Sequence, residues 1–243
     1  MAPPTSTSVD DAIATFPVTL VDGETYVVFA NGVLNPDNFA ANPDELSIGF
    51  SLFPVAGARE AAENTDNVEF FVFHGATDAP AVDVLAGDAK LVDGAAYGDA
   101  TGYLSVPPAS YILDITPAGA NETIVATFEA DLSGLAGGSA VVAASGFLTP
   151  SANQDGAAFT LIAVLADGTV IELPAYEAPA PTARLQVIHN AADPGAAAVD
   201  IYVNGGLLLD NFAFRAATPF IDVPAGVELS IAVAPPTSTG RPR

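Results

Sequence analysis

The chain repeats itself, and the repeat is split across its two ends. His74-Gly-Ala-Thr-Asp-Ala-Pro-Ala-Val-Asp-Val84 returns as His189-Asn-Ala-Ala-Asp-Pro-Gly-Ala-Ala-Ala-Val-Asp-Ile201. Ala14-Thr-Phe-Pro-Val-Thr-Leu20 returns as Ala126-Thr-Phe-Glu-Ala-Asp-Leu132, and Gly32-Val-Leu as Gly146-Phe-Leu. Tyr103-Leu-Ser-Val-Pro matches Phe220-Ile-Asp-Val-Pro, and Tyr111-Ile-Leu-Asp-Ile matches Val227-Glu-Leu-Ser-Ile. A repeat of this kind governs the fold and is read before any secondary structure. Residues 1–60, with the match over 9–60, carry the second half of a module. Residues 68–174 are a whole module, and 184–238 are the first half of another. Ala2-Pro-Pro-Thr-Ser-Thr7 recurs at 234–239, a distance of two modules, and Met1 stands where the array would carry Val233. A half module leaves apolar strand faces in water at ~25 cal/mol per Å². The expectation is that 184–238 and 9–60 complete one another, within one chain or between chains.

The module reads as strands throughout. Short apolar bursts such as Phe70–His74, Ala81–Leu85, Gly102–Val106 and Tyr111–Ile115 are split by 21 glycines and 20 prolines. Thr123–Phe128, Ala140–Ala144, Phe159–Val164 and Val170–Leu173 continue the pattern. Asp167-Gly168 between two strands is a hairpin signal. Evenly spaced short strands with polar turns predict an all-β fold of tandem immunoglobulin-like β-sandwich modules. No helical period extends over twelve residues, and only Ala58–Glu63 is expected to form a helical turn. The Pro-rich stretch 175–182 reads as a semi-rigid spacer.

Half of the residues are hydrophobic and only 14% are charged, so the cores can be large. No run of eighteen apolar residues occurs, so membrane insertion is not expected. Net charge is −23, with Lys90 as the only lysine, which argues against nucleic acid or an anionic membrane as partner. Cysteine is absent, which leaves no disulfide staple and no thiol chemistry. Met1-Ala-Pro-Pro has neither the basic start nor the apolar run of an export signal. If the parent protein is exported, that signal is not in this chain.

The stretch His-x-x-x-Asp-x-Pro-x-Val-Asp-Val, then a Gly-containing hairpin, an aromatic-x-x-Val-Pro strand end and a Tyr-x-Leu-x-Ile strand, resembles domain of unknown function 4397. The resemblance rests on His74, Asp78, Pro80, Val82 and Asp83, and again on His189, Asp193, Val199 and Asp200. The second copy departs from the first in its Pro194-Gly195 and an inserted Ala. The family is found in exported bacterial and archaeal proteins, often in tandem. The resemblance implies an extracellular or cell-surface β-sandwich and no particular activity.

Several residue groups were weighed for chemistry. His74 and His189 are the only histidines and hold the same repeat position. One imidazole per module falls short of the three or four N/S ligands of zinc, so both are expected to satisfy backbone groups of the following turn. Asp78, Asp83, Asp193 and Asp200 complete the structural motif. Asp83 and Asp200 alternate with apolar neighbours, and no second carboxylate is placed to make a catalytic pair. The loops 35–38, 42–45 and 151–155 offer oxygen ligands for calcium. They lack the Asp-x-Asp-x-Asp-Gly spacing, and Asx turns account for them. Tyr97, Tyr103, Tyr176 and Tyr202, read as exposed, could stack on a glycan, with core or rim packing as the expected use. No catalytic, cofactor or metal site is expected. The leading expectation is a non-catalytic structural repeat that polymerises head to tail with itself. The alternative is a monomeric adhesion module for a glycan or protein.

Overall fold

A computed structural model describes residues 5–12 and 14–236, so the echoed segments 2–7 and 234–239 fall partly outside the described residues. The protein is all-β and forms two compact units, one up to Glu177 and one from Ala178.

The first unit opens with the hairpin β1 (Tyr26–Asn31) and β2 (Ser51–Ala56). The whole module follows: β3 (Val68–His74), β4 (Val82–Ala86), β5 (Ala89–Ala95), β6 (Leu104–Val106), β7 (Ser110–Pro117), β8 (Ala126–Asp131), β9 (Ser139–Ser145), β10 (Thr160–Leu165) and β11 (Val170–Glu172). Two sheets face each other, with strand orders β11-β10-β9-β3-β6 and β5-β4-β7-β8. All pairings in them are antiparallel except β3 with β9, where Glu69 lies beside Ser139 and His74 beside Ala144. That parallel seam joins the first half of the module to the second. Val84, Leu113, Ile115 and Phe128 from one sheet meet Ala144 and Leu161 from the other. This is the sandwich core that the alternating apolar pattern requires. The packing leaves a cavity of about 370 Å³ between the sheets, walled almost entirely by Val, Leu, Phe and Ala.

The outer face of the five-stranded sheet is also apolar. Phe71 and Phe73 point out of the sandwich, yet each is only 1% exposed. The hairpin covers them: Phe29 stacks on Phe73 at 3.9 Å between centroids, and Phe53 meets Phe73 edge-on at 5.5 Å. The Asn31 side-chain amide donates to Gly75 O at 2.9 Å, and Arg59 reaches the buried Glu69 carboxylate at 2.6 Å. The hairpin and the segment that follows it, residues 26–60, are thus built onto the back of the whole module.

Two local expectations fail. No helical turn forms at 58–63, because its backbone is used elsewhere. Ala62 N–H donates to Gly137 O, and the Glu69 carboxylate takes the Glu63 and Asn64 amides. The second is β5, since no strand is expected between Ala81–Leu85 and Gly102–Val106. A shifted register against β4 and the positive φ of Gly94, +63°, broke its alternation.

The second unit holds β12 (Thr182–Leu185), β13 (Ala198–Val203), β14 (Gly206–Ala213), β15 (Ile221–Pro224) and β16 (Ile231–Ala234). Its bonding repeats that of the first half of the whole module. His74 N–H donates to Asp99 O and Gly98 N–H to His74 O; likewise His189 N–H donates to Ala216 O and Arg215 N–H to His189 O. The Thr101 hydroxyl accepts from Val72 N–H as that of Thr218 does from Val187 N–H. The second-half copies agree as well. Gly32 and Gly146 both take positive φ, and a Cβ at either would strike a backbone carbonyl, Gly49 O at 2.7 Å or Ala158 O at 2.2 Å. Only glycine fits those crossings.

The pairing register corrects one detail of the repeat. Val84 lies opposite Ile115, and its counterpart Ile201 lies opposite Val233. Ile115 therefore corresponds to Val233 and Leu113 to Ile231, two residues on from the sequence match. A slip of two leaves every side chain on the same face, so alternation alone does not reveal it.

Candidate functional site

Each copy of the motif fastens a strand end to the loop that follows. His74 is 2% exposed, and its Nε2–H donates to Pro80 O at 3.0 Å. His189 repeats this with Ala196 O at 2.8 Å, and its Nδ1 accepts from Ala191 N–H at 3.3 Å. Nδ1 of His74 is buried and has no hydrogen-bond partner among the described residues. Burial holds the pKa of His74 below the ordinary imidazole range.

Asp83 lies wholly buried in β4. Its carboxylate receives Lys90 Nζ at 2.8 Å, Gly94 N–H at 2.7 Å and Gly119 N–H at 3.1 Å. Those donors, Lys90 foremost, hold its pKa below the usual carboxylate range. Asp200 is 1% exposed and takes the Asn211 amide at 2.9 Å. Leu207 occupies the place of Lys90, since each lies opposite the matching residue of its hairpin, Tyr202 and Leu85. These carboxylates knit loops together, and their lone pairs go to protein donors.

Asp78 does something different. Its two oxygens accept from Leu148 N–H at 2.9 Å, Thr149 N–H at 2.9 Å and the Asn153 side-chain amide at 2.8 Å. All three donors belong to the second half of the module, some seventy residues away. Asp78 therefore locks the two halves at the end of the β3–β9 seam. Its counterpart Asp193 caps a short 3-10 turn, and among the described residues it accepts from Gly195 N–H alone, at 2.8 Å. The amides matching Leu148 and Thr149 are those of Leu34 and Asn35, and neither donates to any described residue. Sequence reading grouped Asp78 with the other motif aspartates. The crossing contact was invisible because its partners are backbone amides, which carry no residue signature.

The oxygen-rich loops are occupied by their own turns. Asn42 accepts from Asp44 N–H, and its amide donates to Thr77 O and Ala79 O. Among the described residues no three His, Cys, Asp or Glu side chains gather as metal ligands. Two of the four tyrosines read as exposed are buried: Tyr97 is 6% and Tyr202 5% exposed. Tyr97 packs beside Phe53 and hydrogen-bonds Asn31, and Tyr103 lies under the Arg59 guanidinium.

The remaining feature is apolar surface left open on the strands before and after residues 68–174. Ile231 and Val233 are 55% and 64% exposed, whereas Leu113 and Ile115, which hold the same places in the whole module, are 7% and 3% exposed. Val18 is 41% exposed where Ala130 is 7%. Val28 and Pro54 are exposed on the hairpin face that corresponds to the inner sandwich face of β9 and β10. Strand content follows the same division. β16 has four residues where β7 has eight, β12 has four where β3 has seven, and residues 15–20 form no strand where β8 stands.

Neither the curated proteins nor the solved structures contain a match to this chain. A family model does match, over residues 69–196, which runs from β3 of the whole module to His189 and Asp193 at the start of the second copy of the motif. That is more than half of the chain, and the protein therefore belongs to the DUF4397 family, a domain of unknown function.

Proposed function

We propose that this protein is a non-catalytic structural repeat of an extracellular or cell-surface assembly, joined head to tail by half modules that complete one another between copies. The observation that carries the reading is the contrast in burial at matched positions, Ile231 and Val233 against Leu113 and Ile115. Apolar strand faces this open mark interaction sites. The whole module is the template for their complement, and the matching half is carried at the other end of every copy. Completing a sandwich between chains is strand complementation. A heterologous joint of this kind propagates as an open polymer unless its rotation closes a ring. The net charge of −23 opposes association at low salt and is screened at physiological ionic strength.

The alternative, a monomeric module for a glycan or protein, gains less support. The cavity between the sheets is apolar, without the converging polar groups that orient a sugar. Light scattering across concentration at about 0.15 M salt tests the proposal. Mass should rise with concentration beyond a single chain. A constant mass of 24.5 kDa at high concentration rejects it.

A further inference from the structure

We infer that residues 15–20 of one copy are a donor strand that pairs antiparallel with residues 228–232 of a second copy, with Thr15 opposite Ala232 and Pro17 opposite Ser230. The inference rests on the head-to-tail reading and gives its joint a register.

The template is the β7–β8 pair. There Asp114 lies opposite Thr127, Leu113 opposite Phe128, Ile112 opposite Glu129 and Tyr111 opposite Ala130. Ala126-Thr-Phe128 repeats Ala14-Thr-Phe16, so Thr127 maps to Thr15, Glu129 to Pro17 and Ala130 to Val18. The β13–β16 register maps Asp114 to Ala232 and Leu113 to Ile231. Transferring the pairs sets Phe16 against Ile231 and Val18 against Leu229 on the inner face, where Phe128 and Ala130 are buried in the whole module.

Proline is the severe test of such a register, because it has no N–H to give to a ladder. In β8 the Glu129 N–H points away from β7 and donates to Pro174 O at 2.9 Å. The position that Pro17 takes therefore needs no donor towards its partner strand. Shifted by one residue, Pro17 would stand at a ladder position and lose a bond. The edges are also in the right state. Residues 228–230 form no strand, although the matching stretch of β7 does, and residues 15–20 form none although β8 does. Each segment lacks the neighbour that orders its counterpart.

The outward pair Thr127 and Asp114 places side chains in direct contact, hydroxyl to carboxylate at 2.7 Å. Since Glu129 and Thr127 turn their backbone groups away from β7, this is a non-hydrogen-bonded pair, with Cα atoms ~4.5 Å apart, within disulfide reach. The chain has no cysteine, so an introduced pair is unambiguous. The double variant Thr15→Cys/Ala232→Cys is oxidised at assembling concentration and run on a non-reducing denaturing gel. A ladder of linked multimers that collapses on reduction is expected, with little linking in Thr15→Cys/Ser230→Cys, which lies two residues out of register on the same face. Either single variant stops at dimers and confirms that both thiols are needed. A linked monomer overturns the second copy as donor and the polymer with it. A polymer by light scattering whose Thr15→Cys/Ala232→Cys form stays unlinked, or links no better than the Ser230 pair, overturns the register while the polymer stands.

Discussion

Phe29 lies flat against Phe73, with ring centroids 3.9 Å apart and planes 7° from parallel. Phe73 belongs to the whole module and Phe29 to the segment before it, so the stack makes the two interdependent. Offset aromatic stacking adds to the area each ring buries. Phe29→Ala should cost about 2–3 kcal/mol, below the full core value because Phe29 is only half-buried. Thermal denaturation should show the melting point falling by several degrees. An unchanged transition would mean that the hairpin is not part of the first unit's cooperative fold.

Asp78 and Asp193 hold the same repeat position but different partners, and their substitutions should differ accordingly. Asp78→Ala removes the acceptor of two part-buried backbone amides and one of the two acceptors of the Asn153 side-chain amide, in a residue that is 0% exposed. A loss of about 3 kcal/mol is expected. Asp193→Ala removes one capping bond from an exposed turn, worth about 1 kcal/mol. If the halves join between copies, however, the Asp193 carboxylate meets the Leu34 and Asn35 amides as Asp78 meets Leu148 and Thr149. Asp193→Ala should then raise the concentration needed for assembly about tenfold while the melting point of the unassembled chain barely moves. Equal stability losses for the two variants, with assembly unaffected, would contradict this.

Lys90 is the only lysine, and it bridges Asp83 and Asp93 at 2.8 Å each. Its aliphatic stem covers the hairpin while the ammonium reaches a fully buried carboxylate. Lys90→Met keeps the stem and removes the charge, leaving Asp83 with two backbone donors. A lower midpoint of urea denaturation is expected. Lys90→Arg should recover part of the loss. No loss in Lys90→Met would show that the Gly94 and Gly119 amides satisfy Asp83 by themselves.

Much of this architecture could be read from residues. The His–Asp motif marks two strand ends that share one bonding pattern, at His74 and His189, and alternation located most strands of residues 68–174. Three things escaped for physical reasons. The two-residue slip that pairs Ile201 with Val233 keeps all side chains on their faces, so hydropathy is blind to it. The back-to-back contact of Phe29 with Phe73 joins two sheets through their outer faces, where a strand buried on both sides simply reads as continuous apolar sequence. The lock made by Asp78 uses backbone amides of residues 148 and 149, and no side-chain pattern announces a backbone donor. Tyr97 and Tyr202 are buried, in keeping with the core or rim packing expected of them, although an isolated tyrosine in a Gly-rich stretch carries no periodicity that tells core from rim.

His74 sets the first step of the pH response. Its Nε2–H is committed to Pro80 O, so Nδ1 carries the lone pair, buried and without a described partner. Protonation would place a charge there, and burial resists it more strongly than the Pro80 carbonyl and the carboxylates of Asp99 and Asp44 favour it. The folded pKa is therefore depressed below the unfolded value of about 6.5. Between those two values the unfolded chain binds a proton that the folded chain refuses, so stability falls as pH falls through that window. A second loss follows at lower pH. Asp83 and Glu69 have folded pKa values below the ordinary carboxylate range, Asp83 chiefly through Lys90 and Glu69 chiefly through the Glu63 amide. Their contribution is full above the unfolded carboxylate pKa of about 4 and disappears as pH drops through the folded values. His74→Gln keeps a donor for Pro80 O and removes the titration. Melting points between pH 8 and pH 3 should then show one descending step in the variant, below about pH 4, and an earlier decline in the wild type beginning near pH 6.5. Identical profiles for the two proteins down to pH 5 would show that His74 titrates alike in the folded and unfolded chain.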